Sequence, residues 1–447
     1  MRAAATEARR LIALSVPAIV TQVGWMLLGV VDTLMVGRVS VQALGAASLG
    51  HLWSLATMIF ALGMIFGLDP ILAQAHGRRD ERTLGLALQR GMVLAGVLSV
   101  PLGVLWCFTE PALQLLKQEP QLARLARGYV WVQIPSLPFF LAFSVLRQYL
   151  QCRGIVRPAL ILIVVANVLN AMLNWVFIYG ELGMPALGVL GAGLATAITR
   201  VFLFVALLWI VLRYRLHDGA WTPWSLECLR LDGLLELLRH AVPAGTQIAL
   251  EVWAFQIATL LAGMLGEIPL AGHAIVLNLA SLSFMVPLGV SLGAVTRVGN
   301  LVGERRRHRA QLAAWVSLGI GALVMTISGL AFVVLRWELP AIYTTDTATL
   351  AAAAAILPIA GAFQLFDGIQ VVGGGVLRGM GRTVPAAAFN LIGYYVLALP
   401  LSYWLGFSRG HGLAGIWWGL SLGLGAVAFM LTLWIAKRGP GTVRRSV

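Results

Sequence analysis

Charge is scarce in this chain of 447 residues: charged side chains make up 11% of it, and only 18 of them are acids. Hydrophobic residues account for 59%, and the mean hydropathy is +0.87. Because a soluble domain carries about 25% charged residues, this composition excludes a soluble protein and indicates a polytopic membrane protein.

Cysteines and enzyme motifs are also scarce. The three cysteines, Cys107, Cys152 and Cys228, fall on different predicted elements without metal-ligand spacing, so we expect reduced thiols. The sequence contains no Walker A motif, no HExxH motif and no Ser/His pair at catalytic spacing. It therefore predicts neither an enzyme nor an ATP-driven pump, and we expect no cofactor beyond a coupling ion, either Na+ or H+.

The net charge of +14 comes from basic residues that are scattered through short loops. A nucleic-acid-binding protein would gather such residues into one domain, so we expect no nucleic-acid partner. Most Lys and Arg residues fall in segments that lie inside if both termini are cytoplasmic, and the positive-inside rule predicts that orientation. We expect a multi-pass protein of the inner (plasma) membrane of the cell.

Twelve apolar stretches of about 20 residues alternate with short segments rich in Gly, Pro and Arg. Each stretch is long enough to cross the hydrocarbon core as a helix. The predicted spans are 11–36, 45–72, 86–108, 127–150, 158–180, 187–212, 237–265, 271–298, 311–335, 350–377, 384–407 and 411–436.

The second half of the chain repeats the first at an offset of about 225 residues, so that Arg153-Gly154 aligns with Arg378-Gly379. Since each repeat holds an even number of spans, both repeats enter the membrane in the same direction. The sequence predicts an all-α membrane fold of twelve transmembrane helices in two parallel six-helix repeats. Residues 1–222 would form the N-terminal lobe and residues 223–447 the C-terminal lobe.

Three acids lie well inside predicted spans: Asp32 in the first, Glu251 in the seventh and Asp367 in the tenth. An ionised carboxylate in hydrocarbon costs several kcal/mol unless a partner offsets it. Gln247 precedes Glu251 by four residues and Gln364 precedes Asp367 by three, so each amide shares a helical face with its acid. The acids could bind a cation or proton in alternation with a cationic substrate. They could instead be protonated and hydrogen-bonded between helices.

Other candidate site residues accompany Asp32. Trp25 shares its helical face and could stack on a flat cation. In the fifth span Asn170 and Asn174 lie one turn apart, and this polar stripe would belong either to a binding site or to hydrogen bonds between helices.

Two further charges have two interpretations each. Arg200, in the middle of the sixth span, would either pair with Asp32 in one conformation or lie deeper in the cytoplasmic half than the span suggests. For Asp69, near the cytoplasmic end of the second span, we expect a solvated or Arg-paired cap to the loop that follows.

Several stretches resemble the MATE (multidrug and toxic compound extrusion) family, and within it the NorM-type branch. They include VDTLMVGRVSVQALGAASLG after Val30, GTQIALEVWAFQIATLLAGMLG around Glu251 and FDGIQVVGGGVLRGMGRTVPA around Asp367. The resemblance covers essentially the whole chain. It implies two six-helix lobes that form a V-shaped cleft and export organic cations in exchange for Na+ or H+. It also implies an N-lobe site with Asp32, Asn170 and Asn174, and a C-lobe cation site with Glu251 and Asp367, which would hold Na+ in a Na+-coupled protein.

We therefore hypothesise a secondary active multidrug antiporter that acts on small organic cations and works as a monomer in the lipid bilayer. The alternative is a flippase of lipid-linked precursors on a related fold, whose anionic substrates would favour a cavity lined with basic residues. A third class, an intramembrane enzyme, would need a nucleophile, a base or a metal set, and the sequence offers none.

Overall fold

Helices account for every regular element in the part of the chain that the computed structural model describes, residues 2–442. Residue 1 and residues 443–447, the end of the predicted C-terminal lobe, lie outside the described residues. Twelve helices are long and apolar enough to cross a membrane. They are α1 Arg2–Gly37, α2 Val41–Arg78, α3 Glu81–Cys107, α4 Pro120–Cys152, α5 Arg157–Tyr179, α6 Val189–Arg213, α7 Leu231–Met264, α8 Glu267–Gly303, α9 Arg307–Val334, α10 Thr347–Gly379, α11 Thr383–Ser408 and α12 Gly412–Arg438.

The twelve predicted spans are confirmed, since each of them falls on one of these helices. Several helices extend past the predicted ends, and α1 starts at Arg2 rather than at residue 11. Hydropathy marks only the apolar part of a helix, whereas the backbone hydrogen bonds continue into its polar turns.

A break interrupts α2 close to its C-terminal end. The helix stops at Phe66 and resumes at Asp69. Gly67, between them, packs so closely on Ala241 of α7 that a Cβ atom at this position would overlap the Ala241 backbone. Glycine is therefore required at the bend, and the bend gives Asp69 the first position of a new helical segment.

Two other helices depart from regular α-helical geometry. In α4 a 3-10 turn at Ile134–Ser136 contains Pro135, which lacks the N–H that a continuous helix would need. In α11 the backbone widens into π-helical turns at Leu391–Ala398 and Trp404–Ser408. Such turns are frequent at functional sites.

The described chain divides into two compact units that we name by their main parts. The N-unit comprises Val23–Leu72 and Arg79–Ala241, and the C-unit comprises Met1–Gln22, Ala73–Arg78 and Val242–Val447 as far as these are described. The predicted lobe boundary at residue 222 divides the linear sequence and stays a prediction.

Glycines explain why the start of α1 belongs to the C-unit. A Cβ atom at Gly289 of α8 would lie 2.6 Å from the backbone nitrogen of Ile19, and one at Gly293 would overlap the Ser15 hydroxyl. Small residues let two membrane helices approach this closely, which gains van der Waals contact where no hydrophobic effect drives association.

Candidate functional site

Asp32 is buried in the N-unit, with 8% of its surface exposed. Asn174 Nδ2 donates to Asp32 Oδ1 at 2.5 Å, and Thr196 Oγ1 donates to Asp32 Oδ2 at 2.7 Å. Asn174 Nδ2 also donates to Asn170 Oδ1 at 3.1 Å. The structure therefore brings the predicted residues Asp32, Asn170 and Asn174 into one cluster, in which both carboxylate oxygens already accept a hydrogen bond.

Two residues of this cluster were not predicted. Thr196 lies on α6 and also donates to Ala192 O at 3.1 Å, one turn earlier in its own helix. The Tyr129 side chain, on α4, interacts with Thr196 and electrostatically with Asp32. Hydroxyl side chains in apolar helices commonly bond to their own backbone, so the sequence carries no signal for a contact across helices.

Trp25 and Arg200 both contact the Phe140 ring. Trp25 is partly exposed and makes edge contacts with Phe140 and Phe143, with ring centroids 5.3 and 5.8 Å apart. The Arg200 guanidinium lies 4.8 Å from the centroid of the Phe140 ring. Arg200 interacts electrostatically with Asp32, but the two form no ion pair within 4.0 Å in the described chain. Direct pairing, one of the two interpretations of Arg200, is therefore not observed in this structure.

Glu251 and Asp367 meet in the C-unit, with 9% and 4% of their surfaces exposed. Gln370 Nε2 donates to Glu251 Oε2 at 2.8 Å, and Asn390 Nδ2 donates to the same oxygen at 3.3 Å and to the Gln247 backbone oxygen at 3.2 Å. The two acids are close enough to repel each other electrostatically. The C-unit cluster thus joins two carboxylates on α7 and α10 to an amide on α11.

Several buried polar atoms on the same helices have no hydrogen-bond partner within residues 2–442. They are Oε1 of Gln247, Oε1 of Gln370 and both amide atoms of Gln364, and all three side chains are buried. The Tyr394 hydroxyl is also unpaired there and interacts electrostatically with both acids. An unpaired buried polar atom costs about 1–3 kcal/mol, so this cluster has donors and acceptors to offer a small ligand. Carboxylate and amide oxygens together are the donor set that hard cations prefer.

The described chain contains no group of three or more His, Cys, Asp or Glu side chains that could hold a metal ion. A cation at this position would therefore depend on the two acids and on neutral oxygens.

The glycine run of α10 allows this arrangement. A Cβ atom at Gly374 would lie 2.6 Å from Gln247 Nε2, and one at Gly375 would lie 2.7 Å from the backbone oxygen of Ser291. Glycine at both positions lets α10 approach α7 and α8. This close approach holds Asp367, two turns earlier on α10, in the same cluster as Glu251.

For Asp69 the sequence led us to expect a cap that is either solvated or paired with an arginine, and the structure does not show a solvated one. Asp69 is fully buried in the N-unit, accepts a hydrogen bond from Gln148 and interacts electrostatically with the buried Arg147. The Arg-paired alternative agrees with this environment. The physical reason is the bend at Gly67, which directs Asp69 into the unit, and hydropathy cannot locate such a bend.

Twelve apolar helices with acids buried far from their ends define a polytopic membrane protein of the transporter class. The chain belongs to the MatE family: the family profile matches residues 17–176 and 243–404, once in each half of the chain. The two matches agree with the predicted internal repeat, and the predicted family is confirmed.

Relatives match over nearly the full length. The chain is 35% identical to the probable multidrug resistance protein NorM of Mesorhizobium japonicum, over 96% of this chain and 94% of that protein. It is 33% identical to the multidrug resistance protein MdtK of Yersinia pestis, over 97% and 96% of the two chains. The crystal structure of the eukaryotic MATE transporter AtDTX14 has the same fold, with a TM-score of 0.92 at 22% identity over 98% of this chain and 97% of that chain.

Proposed function

We propose that this protein is a secondary active multidrug efflux antiporter, which exports small organic cations in exchange for Na+ or H+. It works in the inner membrane with both termini cytoplasmic, and one copy of the chain is sufficient. The names of its relatives NorM and MdtK, both multidrug resistance proteins, support the transport of drugs. Transport of this kind makes no covalent bond, so the proposal requires no enzymatic step.

The observation that carries the proposal is the pair of buried acid clusters, one in each unit. A membrane protein that only needed stability would avoid them, because a buried carboxylate costs several kcal/mol. Three such acids on three helices are therefore retained for a role in binding charge.

The C-unit cluster is the proposed coupling site. Glu251 and Asp367 repel each other when both are ionised, and a bound Na+ or proton would remove that repulsion. The unpaired oxygens of Gln247, Gln364 and Gln370 offer neutral ligands to Na+ in addition to the two carboxylates. The same acids accept protons without those ligands, so either ion fits the cluster.

The N-unit cluster is the proposed site for substrate, and Asp32 supplies its negative charge. Trp25, which is partly exposed, supplies the aromatic surface on which a flat cation would stack. Neutralisation of Asp32 by a proton would weaken its hold on the cation. Exchange is then a competition for negative charge between the substrate and the coupling ion.

The test is efflux from proteoliposomes with charge-removing substitutions Asp32→Asn, Glu251→Gln and Asp367→Asn. Each should abolish efflux of a fluorescent organic cation while the purified protein still elutes as a folded species. Glu181→Gln, which neutralises an exposed acid in the loop between α5 and α6, is the control and should retain efflux. Retained efflux in all three charge-removing variants would contradict the carboxylate mechanism.

The coupling ion follows from the same proteoliposomes when a Na+ gradient and a pH gradient are imposed separately. Efflux driven by only one gradient names the ion. If neither gradient drives efflux of the cation against its concentration, the chain is not an antiporter of this kind.

Transport of anionic lipid-linked precursors has less support. Arg378 donates to the Ser291 hydroxyl at 3.2 Å, and Arg147 lies beside Asp69, so these buried cations have partners within the protein. A headgroup with several phosphates would need such arginines for itself.

A further inference from the structure

One end of the C-unit carries a surplus of arginines. Two segments supply them: residues 2–10, at the start of α1, and residues 297–309, which join the end of α8 to the start of α9. Together they hold eight arginines and two acids, Glu7 and Glu304. The two segments lie side by side, because Glu7 interacts with arginines from both of them. Positive charge gathered in this way attracts anions to this end of the unit.

Glu7 lies at the centre of this group and is buried, with 4% of its surface exposed. Arg297 donates from Nε and Nη2 to its two carboxylate oxygens, at 2.7 and 2.8 Å. That pair is bidentate, the geometry in which a guanidinium binds a carboxylate most strongly. The charge of Glu7 is therefore matched by Arg297 alone.

Two further arginines surround the same acid. Arg10 Nη1 lies 3.8 Å from Glu7 Oε1, too far for a hydrogen bond, and its side chain is 51% exposed. Arg309 is exposed and also interacts electrostatically with Glu7. Since Arg297 already balances the acid, Arg10 and Arg309 leave this position with a surplus of two positive charges.

The exposed face of α1 begins beside these charges. Ile12, Val16 and Val20 are exposed and lie on one face of the helix, and Arg9 is exposed on the same face. Ala13, one turn after Arg10, is exposed as well, so Arg10 borders this apolar stripe. Exposed apolar residues of a spanning helix contact acyl chains, and an arginine at the end of such a stripe reaches the level of the lipid headgroups.

Charge and apolar surface together fit one class of partner. Clusters of arginine next to a transmembrane helix are typical of binding sites for anionic lipids, and a guanidinium matches the oxygens of a phosphate. A free anion would use the arginines but not the apolar stripe, whereas a phospholipid uses both.

We propose that Arg10 and Arg309 bind the phosphate of an anionic phospholipid whose acyl chains lie along the exposed stripe of α1. The orientation in the proposed function places the start of α1 in the cytoplasm, so this lipid belongs to the inner leaflet. The inference goes beyond the proposed function, because exchange of a cation for Na+ or H+ requires no bound lipid.

Binding of two lipids with the same acyl chains tests the site. Dioleoylphosphatidylglycerol is anionic and dioleoylphosphatidylcholine has no net charge, and native mass spectrometry of the purified protein in a neutral detergent gives a dissociation constant for each. The wild type should bind the anionic lipid more tightly. The double variant Arg10→Gln/Arg309→Gln should weaken binding of the anionic lipid about twentyfold, roughly fivefold for each charge removed, and should leave the neutral lipid unchanged.

Two further double variants separate the site from net charge and from folding. Arg10→Lys/Arg309→Lys keeps both charges and loses the planar forks, so its affinity should be intermediate. Arg213→Gln/Arg215→Gln removes two exposed arginines from the N-unit, changes the net charge equally and should retain wild-type affinity. Because the Glu7–Arg297 pair is intact in all three, each should unfold without lipid at the wild-type temperature.

Three results would overturn the inference. Equal affinity of the wild type for both lipids would show that the headgroup charge is not recognised. Equal weakening by the two glutamine variants would mean that only net charge counts. Displacement of the anionic lipid by inorganic phosphate at the same concentration would assign the arginines to a free anion. Each of these results would leave the proposed function standing, because none involves the acids of the two clusters.

Discussion

Replacing Thr196 with valine removes one of the two hydrogen-bond donors of Asp32 and leaves the shape of the side chain almost unchanged. The hydroxyl donates to Asp32 Oδ2 at 2.7 Å, and its hydrogen therefore reduces the negative potential that an approaching cation meets. Without that hydrogen the ionised carboxylate is less well solvated within the protein and gains more from contact with a cation. We expect Thr196→Val to bind organic cations more tightly than the wild type does.

The magnitude follows from the contacts of the hydroxyl. A hydrogen bond to a charged group contributes about 1.5–3 kcal/mol, which corresponds to roughly a tenfold to hundredfold change in affinity. Thr196 shares its hydroxyl between Asp32 and the backbone oxygen of Ala192 at 3.1 Å, so the lower end of this range applies. We therefore expect the dissociation constant to fall about tenfold and the turnover of efflux to fall as well, because a more tightly bound cation leaves more slowly.

The assay is equilibrium binding of a permanently charged phosphonium cation at alkaline pH, where competition from protons is smallest. Thr199→Val is the matched control on the same helix, because its buried hydroxyl donates to Ala195 O at 2.8 Å and not to Asp32. Thr199→Val should bind the cation as the wild type does. Equal dissociation constants for the two variants, or weaker binding by Thr196→Val, would refute the reasoning.

Two predictions concern the framework around the clusters. Arg147→Gln leaves the buried Asp69 without its neighbouring charge, so the free energy of unfolding should fall by about 3–5 kcal/mol and the thermal unfolding temperature of the purified protein should drop. A double variant that also carries Asp69→Asn should recover part of that loss. An Arg147→Gln protein as stable as the wild type would contradict the pairing. Gly375→Ala introduces a Cβ atom 2.7 Å from the Ser291 backbone oxygen and should lower the unfolding temperature. The control is Gly319→Ala, which should not lower it, because no atom lies within 4 Å of the new Cβ. Equal unfolding temperatures for the two variants would mean that α10 has room to move.

The sequence was sufficient to predict those features of this protein that depend on one helix at a time. Hydropathy located all twelve membrane helices, because a span needs about 20 apolar residues and little else can satisfy that requirement. The same reasoning found Asp32, Glu251 and Asp367, since a charge inside an apolar stretch is conspicuous and costly. The predicted amides Gln247 and Gln364 lie on the same helices as these acids, and helical spacing was enough to select them.

Partners on other helices could not be found in this way. Thr196 contacts Asp32 from α6 and Asn390 contacts Glu251 from α11, and helical spacing from the acids on α1 and α7 selects neither residue. Asn390 is an amide in an apolar span, a signal that could have raised it to a candidate, whereas Thr196 had none. Contacts between helices depend on how the helices pack, and small residues such as Gly374 and Gly375 control that packing in ways that hydropathy does not record.

The internal repeat allows the positions of the acids in the two clusters to be compared. Both acids on the first helix of a repeat, Asp32 on α1 and Glu251 on α7, accept from an amide on the fifth helix, Asn174 on α5 and Asn390 on α11. At the repeat offset of about 225 residues, however, Glu251 aligns near Trp25 rather than with Asp32. The two repeats therefore share the pairing of an acid on the first helix with an amide on the fifth, but the acids do not occupy equivalent positions.

Under the proposed function, the difference in charge would give each cluster a separate role. The C-unit joins two acids that repel each other, and a small cation or proton relieves that repulsion directly. The N-unit holds one acid, Asp32, which interacts electrostatically with Arg200, and the Arg200 guanidinium lies against the Phe140 ring that also contacts Trp25. Under the proposed function the two clusters would therefore differ in selectivity, the C-unit cluster holding the coupling ion and the N-unit cluster the substrate.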